Sequence, residues 1–213
     1  KPDGQIIIDI MSRLGYSQPT GLTYDAAKVI EEIADVIPFM KGLSWNRLGE
    51  NGLQWPINED GTDTKMLHID GNFKKGIGTF HHFDFEETPE ITSHGKKYPF
   101  ILTTGRELEH YNSGTMTRRT DNQSILSKDV LEVHPRDAKE KGIKDNEIVR
   151  IFSDRGSVQI PIKYSKNVKR GVLRTTFHQP EVFINIITGS VGDKETMTPE
   201  YKVVAVDFER ISN

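Results

Sequence analysis

The chain has 213 residues, with 28 Lys and Arg against 31 Asp and Glu and a formal net charge of −3. So near a balance argues against general electrostatic binding to nucleic acid or to an anionic membrane, and no apolar run approaches the roughly 20 residues that a membrane span requires. The sequence contains no cysteine, so this chain can neither ligate an iron–sulfur cluster nor hold a Cys-type zinc site or a disulfide.

The chain starts at Lys1 and enters QIIIDIMSRLGY at once. This start, with no signal-peptide core before it, fits either removal of a tag or a cut from a longer protein, the second of which would place further domains upstream. Ile6, Ile7, Ile10, Met11 and Leu14 recur at helical spacing before Gly15, which predicts a helix over 4–14. TYDAAKVIEEIADVIPFM opens on a Thr or Asp cap candidate, lines up Ala26, Val29, Ile30, Ile33, Ala34 and Ile37, and meets Pro38; a second helix over 24–36 follows. Trp45, Leu48, Leu53 and Trp55 in LSWNRLGENGLQWP read as an apolar cap over those helices.

Residues 56–97 lose periodicity and carry the composition of a long connection. A stretch of this length fits a run over a partner surface or a link between two domains better than a loop within one compact domain. The expected division is 1–57, a connecting segment 58–97, and a domain over 98–213.

From residue 99 the pattern changes to short strands with turn punctuation. PFILTTG, VLEVH, NEIVRIFS, SVQIPIKYS, GVLRTTFH and YKVVAVDFER predict a six-stranded antiparallel or mixed barrel, whose closure removes the edge strands and leaves the connections to carry chemistry. PRDAKEKGIKDN predicts a two-turn helix between the second and third strands, SDRGS a tight hairpin, and PEVFINIITG a short helix over 180–188.

Two connections are polar. TTGRELEHYNSGTMTRRT, residues 103–120, holds six Ser or Thr hydroxyls, three arginines and two glycines. Arg106 suits a bidentate phosphate contact, and Ser113, Gly114 and Thr115 offer amides and hydroxyls to an anion; an ordinary polar surface loop accounts for the composition equally well. Arg118 and Arg119 read as solvated charges. In TTFHQPEVFIN, Thr175, Thr176, His178 and Gln179 precede a helix start that can attract anions, and Asn185 is either a buried carboxamide with partners or an Asn on the wet side. No H-E-x-x-H, P-loop or G-x-S-x-G pattern is present, which points to a binding module rather than a self-contained enzyme.

These segments carry a resemblance. YPFILTTGRELEHYNSGTMTRR, VLEVHPRDAKEKGIKDNEIVRIFSDRGSVQIPIKYSKNVKRGVLRTTFH and PEYKVVAVDFE together resemble the C-terminal molybdopterin-dinucleotide-binding domain of molybdenum or tungsten oxidoreductases. The GTMTRR and LQWP pieces are most similar to formate dehydrogenase catalytic subunits.

The resemblance implies a double-psi β-barrel of the aspartate-decarboxylase-like type over 98–210, preceded by the end of an α/β domain. It implies a bis(molybdopterin guanine dinucleotide) cofactor with Mo or W, whose ligating residue lies outside this chain. Thr104, Arg106, Glu107, His110 and Asn112 fall in the cofactor-contacting loop, with Gly114 and Thr115 in the same motif. Phe177, His178, Asn185, Tyr201 and Lys202 match the second contacting region, where relatives often carry Tyr or Trp near 177.

No catalytic or metal-binding residue is expected here. The implied partners are the upstream domains or subunit of the same enzyme and its iron–sulfur electron-transfer proteins, in the cytoplasm. The competing expectations are a nitrate or polysulfide reductase, a formylmethanofuran dehydrogenase barrel subunit, or a double-psi barrel used for protein recognition, as in some AAA chaperones.

Overall fold

A computed structural model describes residues 1–17, 21–71, 73 and 76–211. The chain divides into two compact units, Lys1–His82 and Phe83–Asn213. Residues 72, 74 and 75, within the expected connection, lie outside the described residues.

In the first unit, helix α1 spans Asp3–Arg13 and helix α2 spans Ala26–Val36. Asp25 starts α2 by accepting from the amides of Ala27 and Lys28, which satisfies donors that a helix start leaves open. Gln5 ties the two together, accepting from Tyr24 N at 2.8 Å and donating to Leu22 O at 3.1 Å.

The apolar faces are less covered than their periodicity predicts. Ile8 and Ala34 are buried, whereas Ile6, Ile7, Ile10 and Leu14 are exposed, as are Trp45 and Trp55 of the expected apolar cap. No helix among the described residues is long and apolar enough to cross a membrane.

The second unit begins with α3, Pro89–His94, which the loop-like composition of 56–97 conceals. Thr88 caps it by accepting from Glu90 N, and Pro89 takes the first helical position, where a missing N–H costs nothing.

Six strands follow: β1 Phe100–Thr104, β2 Leu131–Val133, β3 Ile148–Phe152, β4 Ser157–Tyr164, β5 Val172–Thr175 and β6 Val204–Arg210. The short helices α4, Asn122–Ile125, and α5, Pro135–Glu140, lie before and after β2. The strands close in the order β1-β5-β2-β4-β3-β6. β1 with β5 and β2 with β4 run parallel, and the remaining pairs are antiparallel. This is the closed mixed barrel that the alternating pattern predicts.

Leu102, Leu131, Val133, Ile151, Ile160, Leu173 and Phe208 fill its interior. Each buried aliphatic or aromatic side chain contributes about 1.5–3 kcal/mol, so the barrel is the stable platform on which the loops stand.

The expected helix over 180–188 is only one 3-10 turn, Ile184–Ile187. Phe183 takes a left-handed conformation with φ 48, which a helix does not continue through. Ile184 and Ile187 point inward at the three-residue spacing of a 3-10 turn, and Asn185 is exposed. Of the two readings left open for Asn185, the structure takes the wet one.

Candidate functional site

The barrel register brings the polar connections to one end. Thr104 pairs with Thr175 across the parallel β1 and β5, so loops 105–120 and 176–183 leave adjacent strands side by side. β6 runs antiparallel to β1, with Leu102 opposite Val204, so Tyr201 and Lys202 enter beside the same strand end. β2 starts there too, because Thr175 Oγ1 donates to Val130 O at 3.0 Å.

Where the first loop begins, Gly105 N donates to Thr175 O at 2.8 Å. A side chain at Gly105 would come within 3.0 Å of the Arg174 guanidinium. Arg174 spans Glu107 at 2.8 Å and Glu132 at 2.6 Å, so one oxygen of Glu107 is engaged within the protein. Arg106 is exposed and makes no ion pair among the described residues. Asn112 takes φ 51 and Gly114 φ 71, which turns the loop back on itself; Gly114 N donates to Tyr111 O at 2.9 Å. The hydroxyls of Ser113 and Thr115 lie 3.1 Å apart.

Beneath these residues lies a buried polar cluster. His110 Nε2 donates to Leu126 O at 2.7 Å, and its Nδ1 accepts from the Thr117 hydroxyl at 2.9 Å. The ring stacks on His178, centroid to centroid 4.2 Å. His178 is 2% exposed, and its Nδ1 lies 2.7 Å from Asp129 Oδ1, off the direction of a good hydrogen bond. Asp129 is itself buried; it accepts from the Thr176 hydroxyl and, at 3.1 Å, from Gln179 N. Burial holds the His178 imidazole below the ordinary histidine value; Asp129 and Glu107 pull the other way, while His110 and Arg118 add to the burial.

Arg118, read from sequence as a solvated charge, instead clasps the two loops. Its guanidinium donates to Ser113 O at 2.6 Å and to His178 O. Asp129 and Arg174 were likewise invisible as site residues, because each works through partners far along the chain. The only signal available was their position, Asp129 just before the predicted strand VLEVH and Arg174 within GVLRTTFH.

Of the residues singled out by sequence, Thr104, Arg106, Glu107, His110, Asn112, Gly114 and Thr115 lie on or at the start of the first loop, and Phe177 and His178 on the second. Phe177 packs partly against the core. Asn185 sits on the 3-10 turn that follows the second loop, while Tyr201 is half-buried and Lys202 exposed just before β6.

Three buried polar atoms among the described residues find no hydrogen-bond partner: Thr104 Oγ1 and both ring nitrogens of His178. Unpaired buried polar atoms are costly, and both residues stand at this end of the barrel. Together with an unpaired arginine and a glycine-backed loop, they fit a ligand rich in oxygen and nitrogen.

A closed mixed barrel whose donor-bearing loops gather at one end defines a module that binds a polar cofactor. Residues 100–205 match the family model of the molydopterin dinucleotide binding domain, and the barrel of this chain belongs to that family.

Among curated proteins, the chain is 37% identical over 213 residues to the F420-dependent formate dehydrogenase 2 subunit alpha of Methanococcus maripaludis, spanning 99% of this chain and 31% of that protein. It is 35% identical to the probable oxidoreductase YjgC of Bacillus subtilis, over 98% of this chain and 21% of that protein. The chain thus spans about a third or less of these relatives. Among solved structures, acetylene hydratase from Pelobacter acetylenicus shares the fold at a TM-score of 0.52 and 15% identity, over 91% of this chain and 34% of that one.

Proposed function

We propose that this chain is the cofactor-holding C-terminal part of a formate dehydrogenase catalytic subunit and is not catalytic by itself. On this reading residues 1–57 belong to the preceding α/β domain, 58–97 connect, and 98–213 hold the dinucleotide. When bound, bis(molybdopterin guanine dinucleotide) supplies a molybdenum or tungsten centre and the redox chemistry for oxidising formate to carbon dioxide, with two electrons leaving toward iron–sulfur partners. The enzyme so formed works in the cytoplasm, with the upstream domains or subunit contributing the metal ligand.

The observation that carries the reading is the pair of loops leaving β1 and β5 side by side, with unpaired buried groups at Thr104 and His178. The formate dehydrogenase relatives support the substrate.

Each residue has a chemical part in this reading. Arg106 meets phosphate with a planar fork of donors, and on the turn that Gly114 makes, Thr115 presents its amide and hydroxyl. Glu107, with one oxygen on Arg174, keeps the other for an amino group of a pterin or guanine. Asn112, Asn185, Tyr201 and Lys202 supply further donors around the same strand ends, and Phe177 and His110 hold the second loop in place. Each charged contact contributes on the order of 1.5–3 kcal/mol, so several together retain a ligand tightly.

The test is expression of the complete reading frame that contains this chain, with molybdate or tungstate supplied. Acid extraction releases guanine nucleotide along with the metal, and the protein reduces a dye with formate. Guanine release without formate oxidation would leave the cofactor and overturn the substrate. Absence of guanine nucleotide would overturn both.

A further inference from the structure

We infer that His178 is a proton-coupled binding residue: the site takes up an anionic ligand together with one proton, which lands on the buried imidazole beside Asp129. The inference rests on reading the two loops as a phosphate-bearing dinucleotide site, and it adds a form of regulation to that site.

The argument starts from Asp129. Its carboxylate accepts from Thr176 and Gln179, and no Lys or Arg pairs with it among the described residues. His178 Nδ1 stands 2.7 Å from Oδ1. Two lone pairs do not share so short a separation, so in the neutral ring the single N–H sits on Nδ1. Nε2 is then a lone pair, buried and without a partner.

The neighbours cannot relieve it. Both nitrogens of His110, stacked on the other face of the ring, are already engaged with Leu126 and Thr117. A second proton on His178 without a ligand would leave an Nε2–H donor with no acceptor, beside the Arg118 guanidinium that holds the His178 carbonyl.

An anionic ligand reverses the balance. Gly114 lies against His178, and the loop that carries it and the strand end beside it bring donors, the Arg106 guanidinium and the Thr104 hydroxyl, so the site presents itself to oxygen acceptors. A ligand of that kind brings negative charge toward a buried imidazole and stabilises its charged form. Asp129 and Glu107 favour the added proton, and His110 and Arg118 oppose it; the ligand tips the sum. By linkage, a proton that strengthens ligand binding is itself bound more tightly when the ligand is present.

The experiment uses the full 213-residue chain and guanosine diphosphate as probe, titrated by calorimetry at about pH 6.5, close to the ordinary histidine value. Runs are made in two buffers of different ionisation enthalpy. The apparent binding enthalpy differs between the buffers by the heat of the proton taken up, approaching one proton per probe, and His178→Gln removes the difference. Binding with a buffer-independent enthalpy in the unsubstituted chain overturns the inference and leaves the dinucleotide site standing. Absence of binding overturns the site reading and this inference with it.

A measurement without ligand guards the argument. Nitrogen-15 spectra of the imidazoles, assigned through His178→Gln, show His178 neutral near pH 7 with its proton on Nδ1. An imidazolium, or a proton on Nε2, contradicts the proposal.

Discussion

The imidazole rings of His110 and His178 lie face to face, 4.2 Å between centroids and 17° between planes, although they belong to different loops. This contact, with the Arg118 clasp above it, makes the two loops one surface. Its consequences can be measured on the chain alone.

The first is a pH dependence of folding. Burial depresses the folded-state value of His178, so the unfolded chain binds a proton more readily. The contribution to stability is complete above the unfolded value of about 6.5 and is lost as pH falls from there through the lower folded value. The urea midpoint of the barrel therefore declines between pH 7.5 and 5.5, and His178→Gln flattens that decline. An unchanged slope in the variant would assign the titration elsewhere.

A second pH window belongs to Glu90. This carboxylate, 1% exposed, meets Arg155 at 2.8 and 2.6 Å and accepts from Ala205 N at 2.9 Å. Burial alone would raise its value, but Arg155, the Ala205 amide and then His94 more than offset this and hold it below the usual carboxylate range. The stability it supplies is present above the ordinary value of about 4.3 and disappears only as pH falls through the lower folded value. Arg155→Met leaves a buried charge with one backbone donor and costs about 3 kcal/mol, read from equilibrium unfolding at pH 7. A loss under about 1 kcal/mol would show that the pair is not what docks α3 on the β3–β4 hairpin.

Gly114→Ala tests the fit of the loops. At φ 71 the residue is left-handed, and a Cβ there would come 3.0 Å from His178 O. Strain of this kind costs on the order of 1–3 kcal/mol, so the variant loses hydrogen-exchange protection around residues 110–118 while the barrel strands keep theirs. Full protection in the variant would mean that the loops are not in contact as described.

The aromatic run FHHFDF should be the chain's protease site. Phe80, Phe83 and Phe85 are almost fully exposed and lie where the two compact units divide. Brief chymotrypsin treatment cuts between residues 80 and 86 and leaves a barrel fragment that melts cooperatively. Survival of the intact chain under conditions that digest unfolded protein would contradict this exposure.

The barrel was legible because its strands alternate, with buried Val149 and Ile151 on either side of outward Arg150, and Val158 and Ile160 on either side of outward Gln159, a period that only a sheet accommodates. Helix α3 was not, because its inward residue is Glu90, and nothing local says that its partner Arg155 waits in the β3–β4 hairpin. The segment after Pro180 has the start and the apolar spacing of a helix, yet Phe183 in a left-handed conformation limits it to a single 3-10 turn.

In the site, the donor-rich loop was legible by composition, and its ligand class by resemblance. Arg118 was not, because a guanidinium that binds two carbonyls looks in sequence like any surface charge.

The most direct test of the account is Arg106→Ala in the complete enzyme, with metal and guanine nucleotide measured after gel filtration. Arg106 is exposed and unpaired, so its removal leaves the barrel's melting unchanged. Losing a charged contact of about 1.5–3 kcal/mol weakens cofactor retention on the order of tenfold to a hundredfold. The account predicts a matched fall in metal and guanine content in a protein that remains folded; undiminished content of both would contradict the claim that these loops hold the dinucleotide.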